Sequence, residues 1–265
     1  MLANWLSPVI LLAGCSVLMA EQPAAVISQY ITAELIPQIP LTPNKNGTAV
    51  IFIGGLGDEI SGIMPALMQQ APALTAQESR AYYHWHGGYP DNCGKGAAAI
   101  AQDISRYRKH TPAADVVLVG HSMGASMALR VAHMLTSEEG CIYIITLDPS
   151  DRSYKPIRPK SVTWWGNAYV IHSQSGHDYI AQWGGRWNKC RMADQNLCFD
   201  GRMRDEAGMF YIHDNAASLM FSRGRGRHTS LAQELQKRLN KAEKCSPTNG
   251  KPTRQYQAEP EDTRQ

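Results

Sequence analysis

Between Val116 and Leu129 the chain reads Val-Val-Leu-Val-Gly-His-Ser-Met-Gly-Ala-Ser-Met-Ala-Leu, so Ser122 stands between two glycines where an apolar run meets a helix-like one. A polar serine at such a joint has a chemical use. A tight strand-to-helix turn lifts its hydroxyl from the sheet edge, and the amides opening the helix face developing negative charge. Gly120 and Gly124 are the small flanks that so tight a turn demands. The chemistry is nucleophilic attack on a carbonyl. It needs a base for the serine proton, an acid to orient the base, and N–H donors for the oxyanion. A Gly/Ser-rich loop matches the same five residues by chance, but not the strand before and the helix after.

On these residues the chain resembles the serine α/β-hydrolases, particularly lipases and esterases, from about Thr48 to Leu239. The resemblance implies an acid and then a histidine after the serine in chain order. Asp148 ends the apolar run of Tyr-Ile-Ile-Thr-Leu-Asp-Pro-Ser-Asp, where some lipases carry their acid, and is the first choice. Asp178, after the following strand, is the competitor, and Asp151 reads as a turn residue. Two late histidines compete for the base. His213 follows the run Met209 to Ile212, which would serve as the last strand, and His228 stands just before the C-terminal helix. His213 is preferred. His121 reads as a packing or pocket residue, while His172 and His177 crowd the second acid position. One oxyanion donor is the N–H of Met123, and the other comes from Gly54-Gly55-Leu56-Gly57 after an apolar strand. By analogy with lipase loops it is Leu56, or Gly55 if the register slips. The implied reaction is ester hydrolysis through an acyl-enzyme, with no cofactor and no metal. The same residues serve an amidase or a thioesterase, and a catalytically inactive scaffold binding in the envelope is the alternative of a different class.

Elements must position these groups. The segments Thr48–Gly55, Arg80–His86, Asp115–Gly120, Cys141–Asp148 and Ser161–Ser173 are apolar or aromatic strands. Helix-period segments separate them, among them one placing Ala97, Ile100, Ala101, Ile104 and Tyr107 on one face. Strands without polar alternation, interleaved with helices, predict an α/β class and a mostly parallel sheet covered on both faces. Beyond Gly176 the pattern loosens. Ala181–Lys189, rich in Gly and Trp, reads as a lid or pocket rim, and Arg223, Arg225 and Arg227 as a solvated loop. A last amphipathic helix opens after Thr229 as N-cap.

At 265 residues and 43% hydrophobic, the chain has the material for one large core, and a net charge of +3 argues against a nucleic-acid partner. The apolar N-terminus contains Leu12-Ala13-Gly14-Cys15, which resembles the lipobox of bacterial lipoproteins. That resemblance implies removal of 1–14, a diacylglycerol on Cys15 and a membrane-anchored place in the bacterial envelope. Ser16 favours the outer membrane, facing the periplasm. Residues 15–47 then form a tether and Pro-rich linker, 48–244 the hydrolase-like domain, and 245–265 a polar, disordered tail. Export permits disulfides, and Cys190 with Cys198 is the best candidate pair. Cys141 reads as a small buried residue. The histidines lack zinc-ligand spacing.

Overall fold

Strand β1 (Thr48–Gly54) is buried along its entire length, and its alternate residues enter two different cores. Val50 and Phe52 face one side of the sheet, Ile51 and Ile53 the other. That is why the run shows no polar alternation. The same holds for β3 (Val116–His121) and β4 (Ile142–Leu147), both buried throughout. With β2 (Glu78–His84), β5 (Val162–Ile171) and β6 (Gln195–Asp200) they form one sheet, ordered β2-β1-β3-β4-β5-β6. Every pairing in it is parallel.

The helices supply the covers. Chain order gives α1 (Asp58–Ser61), α2 (Ile63–Gln70), α3 (Pro90–His110), α4 (Gly124–Met134), α5 (Ala216–Phe221) and α6 (Leu231–Asn240). On one face, Ile100, Ile104 and Tyr107 of α3 and Leu129 of α4 pack with Ile51, Leu118, Ile144 and Trp165. On the other, Met64 and Leu67 of α2, Leu219 of α5, and Leu231 and Leu235 of α6 pack with Phe52, Val119, Ile145 and Trp164. Each buried Leu or Ile contributes about 2 kcal/mol of apolar burial, and the seventeen among the described residues are shared between both layers. Six parallel strands in this order, helices on both faces and a sharp turn after β3 make this the α/β-hydrolase fold.

This computed structural model describes residues 38–42, 47–85, 90–112, 114–136, 140–173 and 181–241, with the backbone alone for 90–95. The expected signal at 1–14, Cys15, Asp178 and the tail 245–265 lie outside the described residues. No helix among the described residues is long and apolar enough to cross a membrane.

Three expectations are corrected. The last strand is 195–200, not 209–212; Phe210 makes only an isolated bridge to Arg204. Gln195, Asn196 and Asp200 break the apolar run of β6 because it is an edge strand, with only Leu197 and Phe199 buried. The cap of α6 is Ser230, one residue after Thr229. Its hydroxyl accepts from the Gln233 N–H, and the Gln233 side chain accepts from the Ser230 N–H. Cys190 and Cys198 are both free, not paired. The Asn196 side chain holds the Cys190 backbone from both sides, and Cys198 lies two residues, about 7 Å, farther along the strand. Cys141 is buried, as expected, and is also disulfide-bonded.

Both edges of the sheet carry a cover. Ile39 exchanges two backbone hydrogen bonds with Tyr82 on β2, and the Arg225 N–H donates to the Cys198 carbonyl on β6.

Candidate active site

The strand order turns back between β1 and β3, and in open parallel sheets such a reversal leaves a crevice at the carboxyl edge. Ser122 follows β3 there, with φ of +54°. A side chain in this left-handed region costs on the order of 1 kcal/mol or more, so its neighbours must hold it. They do so by close approach. A Cβ on Gly120 would lie 2.5 Å from the Gly124 carbonyl oxygen, and one on Gly124 would run into that of Ile53. The flanking glycines are therefore required by packing against β1 and α4. Gly55 is equally tight, since a Cβ there would lie 2.7 Å from Ser122 Cβ and 3.1 Å from Ser122 Oγ. The glycine loop after β1 thus lies directly on the serine.

Asp148 ends β4 on the same edge, with φ of +39° and no exposure. Its Oδ2 accepts a hydrogen bond from His213 Nδ1 at 2.7 Å, and its Oδ1 accepts the Val170 N–H at 3.0 Å. A carboxylate opposite Nδ1 places the proton of neutral His213 on that atom, which leaves Nε2 with a lone pair. Burial pushes the Asp148 carboxyl up. The hydrogen bond from His213, the positive charge that imidazole carries when protonated and the Arg186 guanidinium outweigh that, holding the group below the usual carboxylate value. His213 is itself buried, on the loop between β6 and α5.

His121 locks that loop. Its Nε2 lies 2.7 Å from the His213 carbonyl, which can only accept, so Nε2 carries the proton. The rings are 4.6 Å apart. Full burial, then repulsion from His213, lowers the His121 imidazole to about 4, so it stays neutral near pH 7. This agrees with its reading as a packing residue.

His228 has a different place. It is exposed and lines an open cavity of about 370 Å³ with Trp164, Asp194, Gln195 and Arg238. Trp164 and Gln195 lie at the starts of β5 and β6, so this cavity is at the opposite edge of the sheet from Ser122. Of the two late histidines, the structure brings His213 to Asp148. Among the described residues no cluster of His, Cys, Asp and Glu could hold a metal ion.

Two neighbours of the site went unmarked in the sequence. Ser150 is buried, its hydroxyl shares a 3.3 Å hydrogen bond with that of Ser122, and its N–H donates to the Ser122 carbonyl. Arg186 Nη2 donates to Asp148 Oδ2 at 2.8 Å. Ser150 stands two residues beyond Asp148 across a proline, which is a weak local signal. Arg186 carries none, because its partner is 38 residues away.

No family model matches the chain, and no curated protein is similar to it in sequence. Among solved structures it is similar to a candidate cell surface hydrolase from Lactobacillus plantarum WCFS1. Identity is 9%, the TM-score 0.40, and the match covers 63% of this chain and 86% of that one. It is also similar to the Tle1 effector bound to the VgrG spike of the Type 6 secretion system. There identity is 10%, the TM-score 0.33, and coverage 60% and 50%. Such distances leave the site to rest on its own geometry.

Proposed function

We propose that the protein is a serine hydrolase that cleaves a carboxylic ester with Ser122 as nucleophile, His213 as base and Asp148 as the acid that orients it. One observation supports this above the rest. A left-handed serine after β3 shares the carboxyl edge with a buried His213 whose Nδ1 is 2.7 Å from Asp148. In this reading the Ser122 proton passes to His213 Nε2 as Oγ attacks the ester carbonyl. The Met123 N–H opens α4, where an amide has no intrahelical acceptor, and it stabilises the oxyanion together with the Leu56 N–H. Gly55 brings that loop against the serine. His213 then protonates the leaving alcohol, and water taken up through the same base releases the acid and restores Ser122.

The test is labelling by a fluorophosphonate probe together with turnover of a p-nitrophenyl ester chain-length series. Wild-type protein labels and turns over, and Ser122→Ala does neither. An unlabelled wild type would sink the reading in favour of an inactive scaffold, and amide or thioester turnover exceeding ester turnover would change the substrate class.

The Leu12-Ala13-Gly14-Cys15 motif supports a lipid anchor on Cys15 and an envelope location. Labelled palmitate should enter the wild type in a bacterial host and not the Cys15→Ala protein; no label in the wild type removes the anchor.

A further inference from the structure

We propose that Arg186 is a positioning residue that partly neutralises Asp148 and thereby modulates how strongly that carboxylate favours the protonated form of His213. This deepens the reading of Ser122, His213 and Asp148 given above and rests on it.

The geometry is specific. Arg186 Nη2 and His213 Nδ1 donate to the same carboxylate oxygen, at 2.8 Å and 2.7 Å. The two cationic groups therefore lie less than about 6 Å apart, within the range where one charge moves the titration of another. Only 7% of the Arg186 side chain is exposed and none of the Asp148 side chain, so solvent screens the arrangement little. The arginine is also fixed in place. Arg186 bridges Ser150, the Trp187 N–H donates to the Pro149 carbonyl at 2.8 Å, and the Asp151 N–H donates to that of Gly185 at 3.2 Å. The Trp187 indole N–H donates to the Asp151 carbonyl at 3.0 Å. The segment after β4 and the segment holding Arg186 are thus sewn together beside Ser122.

The consequence follows from charge. An aspartate in this position normally stabilises the imidazolium formed as the serine proton leaves. Here its negative charge is shared with a permanent cation. The carboxylate still orients His213 through Oδ2, but the field it exerts on the imidazolium is largely offset. Removing the guanidinium charge is therefore expected to strengthen the pull of Asp148 on the imidazolium. The other groups around it are His121, from the end of β3, and Asp214, next in the chain. His121 is neutral across the working range, so Arg186 is the opposing cation.

Two variants of the full chain separate charge from hydrogen bonding. Arg186→Gln keeps an N–H donor and loses the charge; Arg186→Lys keeps the charge. The acid limb of kcat/KM for a short p-nitrophenyl ester is measured for both, alongside a direct NMR titration of the His213 imidazole in the Ser122→Ala background. We expect Arg186→Gln to move both upward by about one pH unit and Arg186→Lys to leave them near the wild-type position. Unchanged titration of His213 in a folded Arg186→Gln protein overturns the proposal. So does an equal shift in Arg186→Lys, which would assign the effect to guanidinium geometry. If Arg186→Gln fails to fold, a shift in the Lys variant alone overturns it, and a wild-type position in that variant upholds the role of charge. Failure of the serine-hydrolase reading is distinguishable, because the NMR titration needs no turnover.

Discussion

The two edges of the sheet use the same materials to opposite ends. At the amino edge, Arg108 is buried and donates to the carbonyls of Ala114, Thr136 and Gly140, tying loops together, with the Asp115 carboxyl within reach of its charge. At the carboxyl edge, Arg186, with 7% of its side chain exposed, makes a direct ion pair with a carboxylate already engaged by a histidine. Backbone strain divides the same way: Ser122, Asp148 and His172, the non-glycine residues with positive φ among those described, all directly follow β3, β4 or β5. A buried arginine is therefore no mark of a site by itself. A buried charge whose partner is another ionisable group, beside strained backbone, is such a mark.

The widest separation between the edges is expected from the histidines. His213→Ala should lower kcat for a small ester by roughly four to six orders of magnitude, with KM nearly unchanged, as loss of a triad member does. His228→Ala, at the amino edge, should stay within about threefold, since its surroundings do not approach the site. Steady-state kinetics on both variants decides it, and the reverse outcome would move the chemistry to the other edge.

Gly55→Ala comes next. The added methyl meets Ser122 Cβ, and the loop must withdraw, taking with it the Leu56 N–H proposed as an oxyanion donor. A loss of roughly 10²–10³ in kcat is expected, the size of one missing donor, with little change in Tm. A large fall in Tm with intact kcat per folded molecule would make Gly55 structural only.

Arg108→Ala inverts that pattern. Three carbonyls lose their donor, which should cost about 2–4 kcal/mol in a urea melt and leave kcat per folded molecule unchanged. Lost turnover at full stability would break the division between the edges. The smallest effect belongs to Ser230→Ala, which removes one half of the capping box and should cost about 1 kcal/mol with no kinetic consequence.

What was legible in the sequence follows the reach of each interaction. The Ser122 turn is local: strand, glycines, serine and helix lie within a dozen residues, and the glycine spacing states the packing limit directly. Asp148 was readable because it terminates an apolar run. His213 was readable only as one of two, since both histidines precede helices and their separation depends on which sheet edge each loop meets. The prediction of a strand at 209–212 had the same cause: an apolar run before the histidine looks like its support, while the real support, β6, hides behind edge-strand polarity. Arg186 could not be found, because no local pattern announces a partner 38 residues away. The disulfide expectation failed because proximity in sequence ignored register: Asn196, not Cys198, lies against Cys190.

The Ile39–Tyr82 exchange has a consequence for solubility. An open strand edge is a template on which a second chain can add, and β2, with its aromatic Tyr82 and Tyr83, would be an attractive one. Ile39 occupies both outward backbone groups of Tyr82, so that edge is already spoken for at its centre. On the far side the Arg225 amide and the polar residues of β6 play the same part. The five residues 38–42 thus act less as a spacer than as a guard: a chain shortened to begin at 38 keeps its β2 edge covered, and one shortened to begin at 43 exposes a strand that can recruit its own kind.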